Sequence, residues 1–223
     1  MARLTYAISR TISCAIFSVV SDRRVLHSER ANRPGACILA SNHISHFDPL
    51  LLTSAIPRQI DWMAMSDLFK PRLLGWWLRQ SDCFPVQRFK ADRVALKTAI
   101  DRLQNGKLIG MFPEGGLRDG EASVLGGAPL RRGIRAVADL GNAPIIPCVI
   151  LGSDRLYCSS NWLPFRRTPI WVGFGEALTA TEGAALEDHL AESLRTLSAE
   201  MRSHFNLRED DFPKPPRDRM AGA

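Results

Sequence analysis

Residues 42–48 read Asn-His-Ile-Ser-His-Phe-Asp and join an apolar run at 36–40 to a segment with helical periodicity at 46–56. The apolar run predicts a buried strand, and the segment after it predicts a helix. In α/β proteins, ligands bind at the carboxyl ends of the strands. His43 therefore stands where a side chain can reach a substrate. Asp48, five positions later, falls in the first turns of the helix, from which it can fold back onto the imidazole ring.

Such a pair has the chemistry of a general base and its partner. An aspartate bonded to one ring nitrogen selects the tautomer and stabilises the imidazolium that forms when the other nitrogen takes a proton. The spacing alone is weak evidence, because a chain with five histidines produces it readily by chance. The structural alternative is a histidine that caps a helix, so the position of the pair has to decide between the two.

The rest of the chain alternates strand patterns with helical patterns. Strands are predicted at 36–40, 60–65, 84–86, 107–112, 145–151 and 170–174. Helices are predicted at 46–56, 67–80, 92–106, 132–140 and 179–204. Apolar strands that alternate with helices favour an α/β fold, in which a mostly parallel sheet is flanked by helices on both faces.

Three residue patterns sharpen this prediction. Asp92 is expected to cap the helix that follows it, and Thr179-x-x-Glu182 resembles a capping box. Pro147 falls inside a predicted strand, although proline cannot donate to a sheet ladder. It is therefore expected at a strand start, an edge or a bulge.

The first 24 residues are predicted to form an N-terminal amphipathic helix. Apolar residues recur there at helical spacing: Leu4, Ala7, Ile8, Ile12, Ala15, Ile16 and Val19. Arg3 and Arg10 fall largely on other faces. Two interpretations stay open, and both can hold for different faces: the helix docks on the protein core, or it lies in a membrane interface with the arginines near anionic headgroups. Residues 25–207 form the predicted main domain, and the polar tail 208–223 is expected to be disordered.

Composition narrows the classes of partner. The chain carries a formal net charge of +6 and a pI near 9.4, which suits anionic lipids, phosphorylated substrates or nucleic acid. No nucleic-acid-binding signature is recognisable, so we expect no nucleic-acid partner. The five cysteines are scattered without a C-x-x-C pair, which favours free thiols in a reducing compartment. No stretch reads as a transmembrane helix, and no signal-peptide cleavage site follows the apolar stretch near the N-terminus.

Two further segments place candidate binding groups at predicted strand ends. Residues 112–120 read Phe-Pro-Glu-Gly-Gly-Leu-Arg-Asp-Gly and combine adjacent glycines with Glu114 and Arg118. A loop of this kind suits a phosphate or an oxyanion. Arg88 follows the strand at 84–86, and a guanidinium binds phosphate in a bidentate manner. A plain glycine turn and a solvated surface arginine are the structural alternatives.

Taken in order, four segments resemble the phospholipid/glycerol acyltransferase family, whose best-known members are the 1-acylglycerol-3-phosphate acyltransferases. Residues 42–48 resemble the family's N-H-x-x-x-x-D signature, and 84–88 resemble its second motif, whose arginine helps to bind the acceptor's phosphate. Residues 112–115 resemble the opening of the third motif, and Pro147 with its apolar flanks resembles the fourth. The match covers roughly residues 36–152, and its four-part order is far more specific than any single motif.

The resemblance implies a glycerolipid acyltransferase fold over residues 25–207. The catalytic residues that it implies are His43, Asp48 and Glu114. The substrate-binding residues that it implies are Arg88, Gly115, Gly116, Arg118 and Arg132. Arg132 belongs to residues 127–133, which are similar to a basic, glycine-containing stretch between the third and fourth motifs of the family.

The implied reaction moves a fatty acyl group from a thioester of coenzyme A or acyl carrier protein to the hydroxyl of a lysophospholipid. The simplest acceptor is 1-acylglycerol 3-phosphate, which gives phosphatidic acid in phospholipid biosynthesis. His43, oriented by Asp48, would take the hydroxyl proton without a covalent acyl-enzyme. Glu114 would hold the acceptor or order the glycine loop, while Arg88 and Arg118 clamp the phosphate. We expect no cofactor and no metal, and a peripheral location at the cytoplasmic face of the cell membrane.

The sequence departs from the family's pattern in the glycine loop. The third motif usually runs Glu-Gly-Thr-Arg, whereas here Gly116 and Leu117 stand at the threonine and arginine positions and Arg118 comes one place later. Another lysolipid headgroup therefore stays open as the acceptor, as does a non-catalytic lipid-binding protein with the same fold. A metal hydrolase built on His43 and His46 is a third alternative, although their spacing is short for a helical zinc pair.

Overall fold

The computed structural model describes residues 2–87, 91–163, 167–179 and 186–213 of the 223-residue chain. Its strands are β1 (Ser21–Leu26), β2 (Cys37–Ser41), β3 (Ile60–Met65), β4 (Phe84–Val86), β5 (Leu108–Met111), β6 (Ile145–Leu151) and β7 (Thr168–Phe174). Its helices are α1 (Ala2–Val20), α2 (Ser28–Ala31), α3 (Asp48–Ala55), α4 (Arg72–Gln80), α5 (Arg93–Gln104), α6 (Ile134–Gly141) and α7 (Leu186–Phe205). Each of the six predicted strands corresponds to one of the strands β2 to β7.

The strands of the described residues form one sheet of seven, in the order β1-β7-β6-β2-β5-β3-β4. Neighbouring strands run parallel except β6 and β7, which run antiparallel. β2, β5 and β6 are buried along their whole length, as expected of strands covered on both faces. The prediction of a mostly parallel α/β sheet flanked by helices is confirmed.

Successive residues of β2 point into two separate hydrophobic cores. Ile38 and Ala40 pack in the core that α5, α6 and α7 cover. Cys37 and Leu39 pack in the core that α1 and α3 cover. This alternation follows from the twofold period of a strand. The loop after β2 is therefore anchored by a strand that is packed from both faces.

Pro147 lies inside the central strand β6, where a missing N–H would ordinarily interrupt the ladder. Its carbonyl accepts a hydrogen bond of 2.8 Å from Gly175 N, just past the end of β7. Cys148 pairs with Phe174, and Ile145 pairs with Leu178. Between these two pairs there are three residues on one side and only two on the other. Such an extra residue is a β-bulge. The expectation of a strand start, an edge or a bulge at this proline is confirmed.

The chain directly after α1 differs from the prediction. The helix ends at Val20, and Ser21–Leu26 form the edge strand β1, which pairs with β7. The predicted domain boundary at residue 24 is therefore wrong, because it falls inside a strand of the sheet. β1 reads Ser-Asp-Arg-Arg-Val-Leu, and an edge strand tolerates such charged side chains. It thus lacks the apolar run by which the other strands were predicted.

The segment predicted as one helix at 67–80 is divided in two. Ser66–Phe69 form a 3₁₀ turn, and α4 begins only after Pro71. Pro71 has a ψ of 124°, which is extended, so the chain leaves the helical path there. The cap predicted at Asp92 is confirmed, since its side chain accepts hydrogen bonds from Val94 N and Ala95 N.

The predicted disordered tail is wrong for its first residues. Residues 208–213 are described, and they include a 3₁₀ turn at Glu209–Asp211. Arg155 fastens this turn to the domain through a bond of 2.9 Å to Asp211 Oδ1, a contact that tail composition does not reveal. Residues 214–223 and the Glu182 of the predicted capping box lie outside the described residues.

Helix α1 packs on the domain with one face and turns its apolar stripe outward. The buried face consists of Tyr6, Ser9, Ser13, Phe17 and Val20. The outward stripe consists of Leu4, Ile8, Ile12, Ile16 and Val19, each at least 39% exposed. α1 therefore docks on the core, as one of the two interpretations expected, but through a face other than the apolar stripe. Among the described residues, no helix has the length and apolar character needed to cross a membrane.

Candidate active site

The loop between β2 and α3 holds the predicted base and its partner in contact. His43 Nδ1 lies 2.9 Å from Asp48 Oδ2. The same oxygen accepts hydrogen bonds from Ile44 N and Ser45 N, each at 2.9 Å. Asp48 is the first residue of α3, and the free N–H groups at a helix start favour a carboxylate. Because this carboxylate is fully buried, protein groups rather than water determine its orientation.

Two aromatic rings determine the plane of the His43 imidazole. It stacks on Phe112 with centroids 3.9 Å apart and planes 15° apart. Phe112 in turn stacks on Trp62, with centroids 5.2 Å apart and planes 7° apart. The approach of Trp62 to β5 requires Gly110, because a Cβ there would lie 2.5 Å from the indole ring. With Nδ1 bound to Asp48, Nε2 is the basic atom of the ring, and it has no hydrogen-bond partner within the described ranges.

Glu114 binds the backbone of the histidine loop. Its Oε2 accepts a hydrogen bond of 2.8 Å from His43 N. Its Oε1 accepts from Ser123 Oγ at 2.8 Å and from Val124 N at 2.7 Å. Burial raises the pKa of this carboxyl, and the three hydrogen bonds oppose that rise. Of the two roles predicted for Glu114, this geometry corresponds to ordering the glycine loop rather than to holding the acceptor.

The glycine loop after β5 reaches both His43 and the start of α6. Arg118 N donates a hydrogen bond of 2.8 Å to His43 O. Gly115 has a φ of 72°, and a Cβ at this position would lie 2.4 Å from Arg131 Nε. Arg131 itself donates to Glu114 O at 3.2 Å. A glycine is therefore required at 115 both by its backbone conformation and by the close guanidinium.

A cavity of about 550 Å³ lies beside the ring stack and shares Phe112 with it. Its wall is largely apolar and includes Met63, Met65, Val86, Ala95, Leu96, Met111, Ile134 and Val137. Arg131 and Arg132 contribute cationic groups to the same wall. The space suits an apolar chain with an anionic end, and the His43 ring stacks on Phe112, one of the residues of its wall.

Three of the five predicted binding residues line the cavity, one contacts the site through its backbone, and one lies outside the described residues. Gly115, Gly116 and Arg132 line the cavity. Arg118 contacts the site through its backbone N–H and is absent from the cavity wall as far as the described residues go. Arg88 lies outside the described residues. Arg131, which was not predicted, lines the cavity next to Arg132, and its place in the basic stretch at 127–133 is the signal that pointed to it.

His46, the second histidine of the loop, is bound to Tyr157. Its Nδ1 lies 2.5 Å from the phenol oxygen, which also accepts a hydrogen bond of 2.9 Å from His46 N. Across the described parts of the chain, no group of three or more His, Cys, Asp or Glu side chains is arranged to hold a metal ion. The His46 ring is therefore oriented by a phenol.

Two more side chains connect the histidine loop to β6, the neighbour of β2, and to the turn that follows β6. The Asn42 amide donates to Ile150 O at 2.9 Å and accepts from Ile150 N at 2.8 Å, which extends the pairing of the two strands. Ser153 Oγ donates a hydrogen bond of 2.5 Å to Asp48 Oδ1. Ser153 was not predicted, although it follows the apolar strand at 145–151 and so carries the same strand-end signal as the base.

A mostly parallel sheet with a buried histidine–aspartate pair at the end of a central strand defines the class of α/β protein whose site has the groups that general base chemistry requires. More specifically, the chain belongs to the Acyltransferase family, whose sequence model matches residues 22–151. The matched region runs from β1 to the end of β6 and contains both the histidine loop and the glycine loop. The family predicted from the four ordered motifs is confirmed, and the chain is an O-acyltransferase.

The chain is similar to two curated bacterial proteins and to one solved bacterial structure. It is similar to the 1-acyl-sn-glycerol-3-phosphate acyltransferase of Bacillus subtilis (strain 168), with 28% identity over 194 residues that cover 86% of this chain and 92% of the relative. It is also similar to the protein of the same name from Streptococcus pneumoniae, with 26% identity over 176 residues that cover 78% and 61% of the two chains. The crystal structure of the 1-acyl-sn-glycerophosphate acyltransferase PlsC from Thermotoga maritima matches with a TM-score of 0.68 at 19% identity, over 91% of this chain and 81% of that chain. This likeness shows a shared fold.

Proposed function

We propose that this chain transfers a fatty acyl group from an acyl thioester to the free hydroxyl of 1-acylglycerol 3-phosphate, which yields phosphatidic acid for phospholipid biosynthesis. One observation carries the proposal: the 2.9 Å bond between His43 Nδ1 and Asp48 Oδ2, which leaves Nε2 as the basic atom of a ring that stacks on Phe112, a residue of the cavity wall. The names of the bacterial relatives support the choice of acceptor.

The reaction begins when His43 Nε2 takes the proton of the acceptor hydroxyl. Asp48 stabilises the imidazolium that forms. The acceptor oxygen attacks the thioester carbonyl, and the tetrahedral intermediate then expels the thiolate, which takes the proton back from the imidazolium. The products are the new ester and the free thiol of the donor, so no covalent acyl-enzyme forms and His43 returns to its first state.

The glycine loop supplies groups that stabilise charge. Gly115 N is bound to Phe112 O, and Arg118 N is bound to His43 O. The N–H groups of residues 116–117, between these two bonds, have no backbone partner among the described residues. They are the candidates for the oxyanion hole, because a glycine loop allows close approach of the reacting carbonyl oxygen.

The cavity is proposed to hold the lipid substrates. Its apolar wall suits acyl chains, and Arg131 and Arg132 suit the acceptor's phosphate. The family resemblance adds the Arg88 and Arg118 side chains to this phosphate clamp. Glu114 contributes by positioning, because both of its oxygens are bound within the protein.

Helices α1 and α4 are proposed to form the surface that lies on the membrane. The two helices contact each other, and each exposes apolar side chains. In α4, Leu73 is 80% exposed and Trp76 is 55% exposed, and tryptophan favours the membrane interface. Together with the outward stripe of α1 and the net charge of +6, this surface fits peripheral binding to the anionic cytoplasmic face.

Purified protein in mixed micelles tests the proposal directly. Acyl-coenzyme A and acyl-acyl carrier protein would each be offered with 1-acylglycerol 3-phosphate, lysophosphatidylglycerol and lysophosphatidylethanolamine, and the products identified by mass spectrometry. We expect phosphatidic acid from the first acceptor. Leu117, at the position where the family usually carries arginine, favours a second candidate, the acylation of another headgroup. Product from another headgroup alone would establish that candidate, and lipid binding without product would overturn catalysis.

His43→Ala tests the base. The variant should lose turnover while keeping the fold, because Nε2 is the atom that accepts the hydroxyl proton in the proposed mechanism. His204→Ala, at an exposed position near the end of α7, is the matched control and should keep wild-type turnover. Circular dichroism of both variants would show that the comparison concerns folded protein.

A further inference from the structure

Asp48 accepts hydrogen bonds from its own loop and from a residue far away in the sequence. Three of them reach Oδ2 from its own loop, from His43, Ile44 and Ser45. The fourth reaches Oδ1 from Ser153 Oγ at 2.5 Å and joins residues 105 positions apart. Both Asp48 and Ser153 are 0% exposed, so bulk solvent does not compete for this bond.

The turn after β6 delivers the Ser153 hydroxyl to Asp48. Ser41 at the end of β2 pairs with Cys148, so β6 continues three residues further, to Leu151. The chain then turns at Gly152, which has a φ of 85° and at which a Cβ would lie 2.5 Å from Pro169 O. Only glycine fits both the conformation and the space. The contact therefore depends on strand pairing and on one tight turn.

We infer that Ser153 is a positioning residue for the base. Its hydroxyl holds Oδ1 of the Asp48 carboxylate and thereby keeps Oδ2 directed at His43 Nδ1. A hydrogen bond from a hydroxyl to a carboxylate is charge-assisted and is therefore stronger than a bond between neutral groups. This inference rests on the proposed function, in which Nε2 of that imidazole accepts the proton of the acceptor hydroxyl.

A purely structural role for Ser153 predicts different behaviour. Ser153 begins the 3₁₀ turn Ser153–Tyr157, and its bond could serve only to fasten that turn to the histidine loop. In that case removal of the hydroxyl would lower the free energy of unfolding and leave the chemical step unchanged. Positioning predicts instead a loss in kcat that a second hydroxyl-bearing side chain restores.

Three variants separate these roles by steady-state kinetics. In Ser153→Ala, kcat should fall roughly ten- to a hundredfold, the effect of one charge-assisted hydrogen bond, while KM for donor and acceptor stays near the wild-type value. Ser153→Thr keeps the hydroxyl and should recover most of kcat. Ser21→Ala is the matched control, because the Ser21 hydroxyl is also buried and donates at 2.5 Å, but to the uncharged Phe17 O. It should lower stability without changing kcat.

A proton NMR measurement tests the same inference without turnover. The low-field resonance of the His43 Nδ1–H reports its bond to Asp48. We expect this resonance in wild type and Ser153→Thr, and its broadening or upfield shift in Ser153→Ala. If Ser153→Ala does not fold, Ser153→Cys, which replaces the hydroxyl by a weak donor, takes its place with the same expected results.

Different outcomes would overturn the positioning role of Ser153 and the proposed acyl transfer. Wild-type kcat and an unchanged resonance in folded Ser153→Ala would overturn the positioning role, whatever happens to thermal stability. If wild type transfers no acyl group to any lysolipid, the proposed function fails. The resonance comparison still decides whether Ser153 positions the pair.

Discussion

His43 and Phe112 lie face to face although they follow different strands of the sheet, β2 and β5. The two strands pair in parallel with Ala40 opposite Met111. Parallel pairing brings the carboxyl ends of both strands to the same edge of the sheet, so the rings meet just past those ends. The base is therefore oriented by two independent constraints: Asp48 holds one ring nitrogen, and the stack holds the ring plane.

Loss of the stack should impair the base. In Phe112→Leu we expect kcat to fall about three- to tenfold, because a stacked aromatic pair contributes about 0.5–1.5 kcal/mol. Steady-state kinetics at saturating donor and acceptor would measure this effect. Phe205→Leu, which removes a partly buried ring at the end of α7, should lower stability and leave kcat unchanged. Equal losses of kcat in both variants would contradict a specific role for the stack.

Glu114 should make stability depend on pH in a predictable direction. Burial raises the pKa of this carboxyl above its ordinary value of 4.5. Its contribution to stability is therefore fully present below pH 4.5 and is lost as the pH rises through the raised pKa. Glu114→Gln removes this ionisation. As the pH rises through the raised pKa, the free energy of unfolding of the variant should therefore increase relative to that of wild type. Urea unfolding at a series of pH values would measure the difference, and a difference that does not change with pH would refute the prediction.

The same variant should also lower activity. Glutamine can accept hydrogen bonds only through its carbonyl oxygen, so its amide nitrogen would face either His43 N or the donors Ser123 Oγ and Val124 N. We expect a reduced kcat at every pH, together with a retained fold. Activity equal to that of wild type would show that the loop holds His43 without this carboxylate.

Gly115 and Gly133 should respond differently to alanine. Gly115 has a φ of 72°, and an added Cβ would lie 2.4 Å from Arg131 Nε. Gly115→Ala should therefore lower the free energy of unfolding by about 2 kcal/mol or more. Gly133 has a φ of −104° and open space around the position of its Cβ, so Gly133→Ala should stay within about 1 kcal/mol of wild type. Chemical denaturation of the three proteins would compare them.

The outward stripe of α1 should control binding to membranes rather than stability. Ile12 is 54% exposed, so Ile12→Ser should leave the free energy of unfolding nearly unchanged. It should weaken partition into anionic phospholipid vesicles by roughly tenfold, the effect of one apolar side chain withdrawn from lipid. Leu140→Ser on α6, where the side chain is 58% exposed, is the control and should bind vesicles like wild type. A wild type that forms dimers, together with an Ile12→Ser variant that is monomeric but binds vesicles unchanged, would assign the stripe to a second copy of the chain.

Much of the site could be predicted because its signals are local. His43 and Asp48 are five residues apart, and an apolar run before them with a helix after them is enough to place the pair at a strand end. The cap at Asp92 follows from a single residue in the same way. Pro147 predicted a strand start, an edge or a bulge, and the strand pairing decided for the bulge. β1 could not be predicted, because an edge strand need not be apolar.

By itself, the sequence determined the alternation of strands and helices, the family and the contact between the base and its aspartate, since each depends on residue order over short distances. Only the tertiary structure decided that Ser153 and Glu114 hold the pair, because those contacts join residues separated by 105 and 71 positions. It also decided the direction of the α1 stripe. Helical periodicity identifies the apolar face of a helix, whereas the packing of its neighbours determines whether that face is buried or exposed.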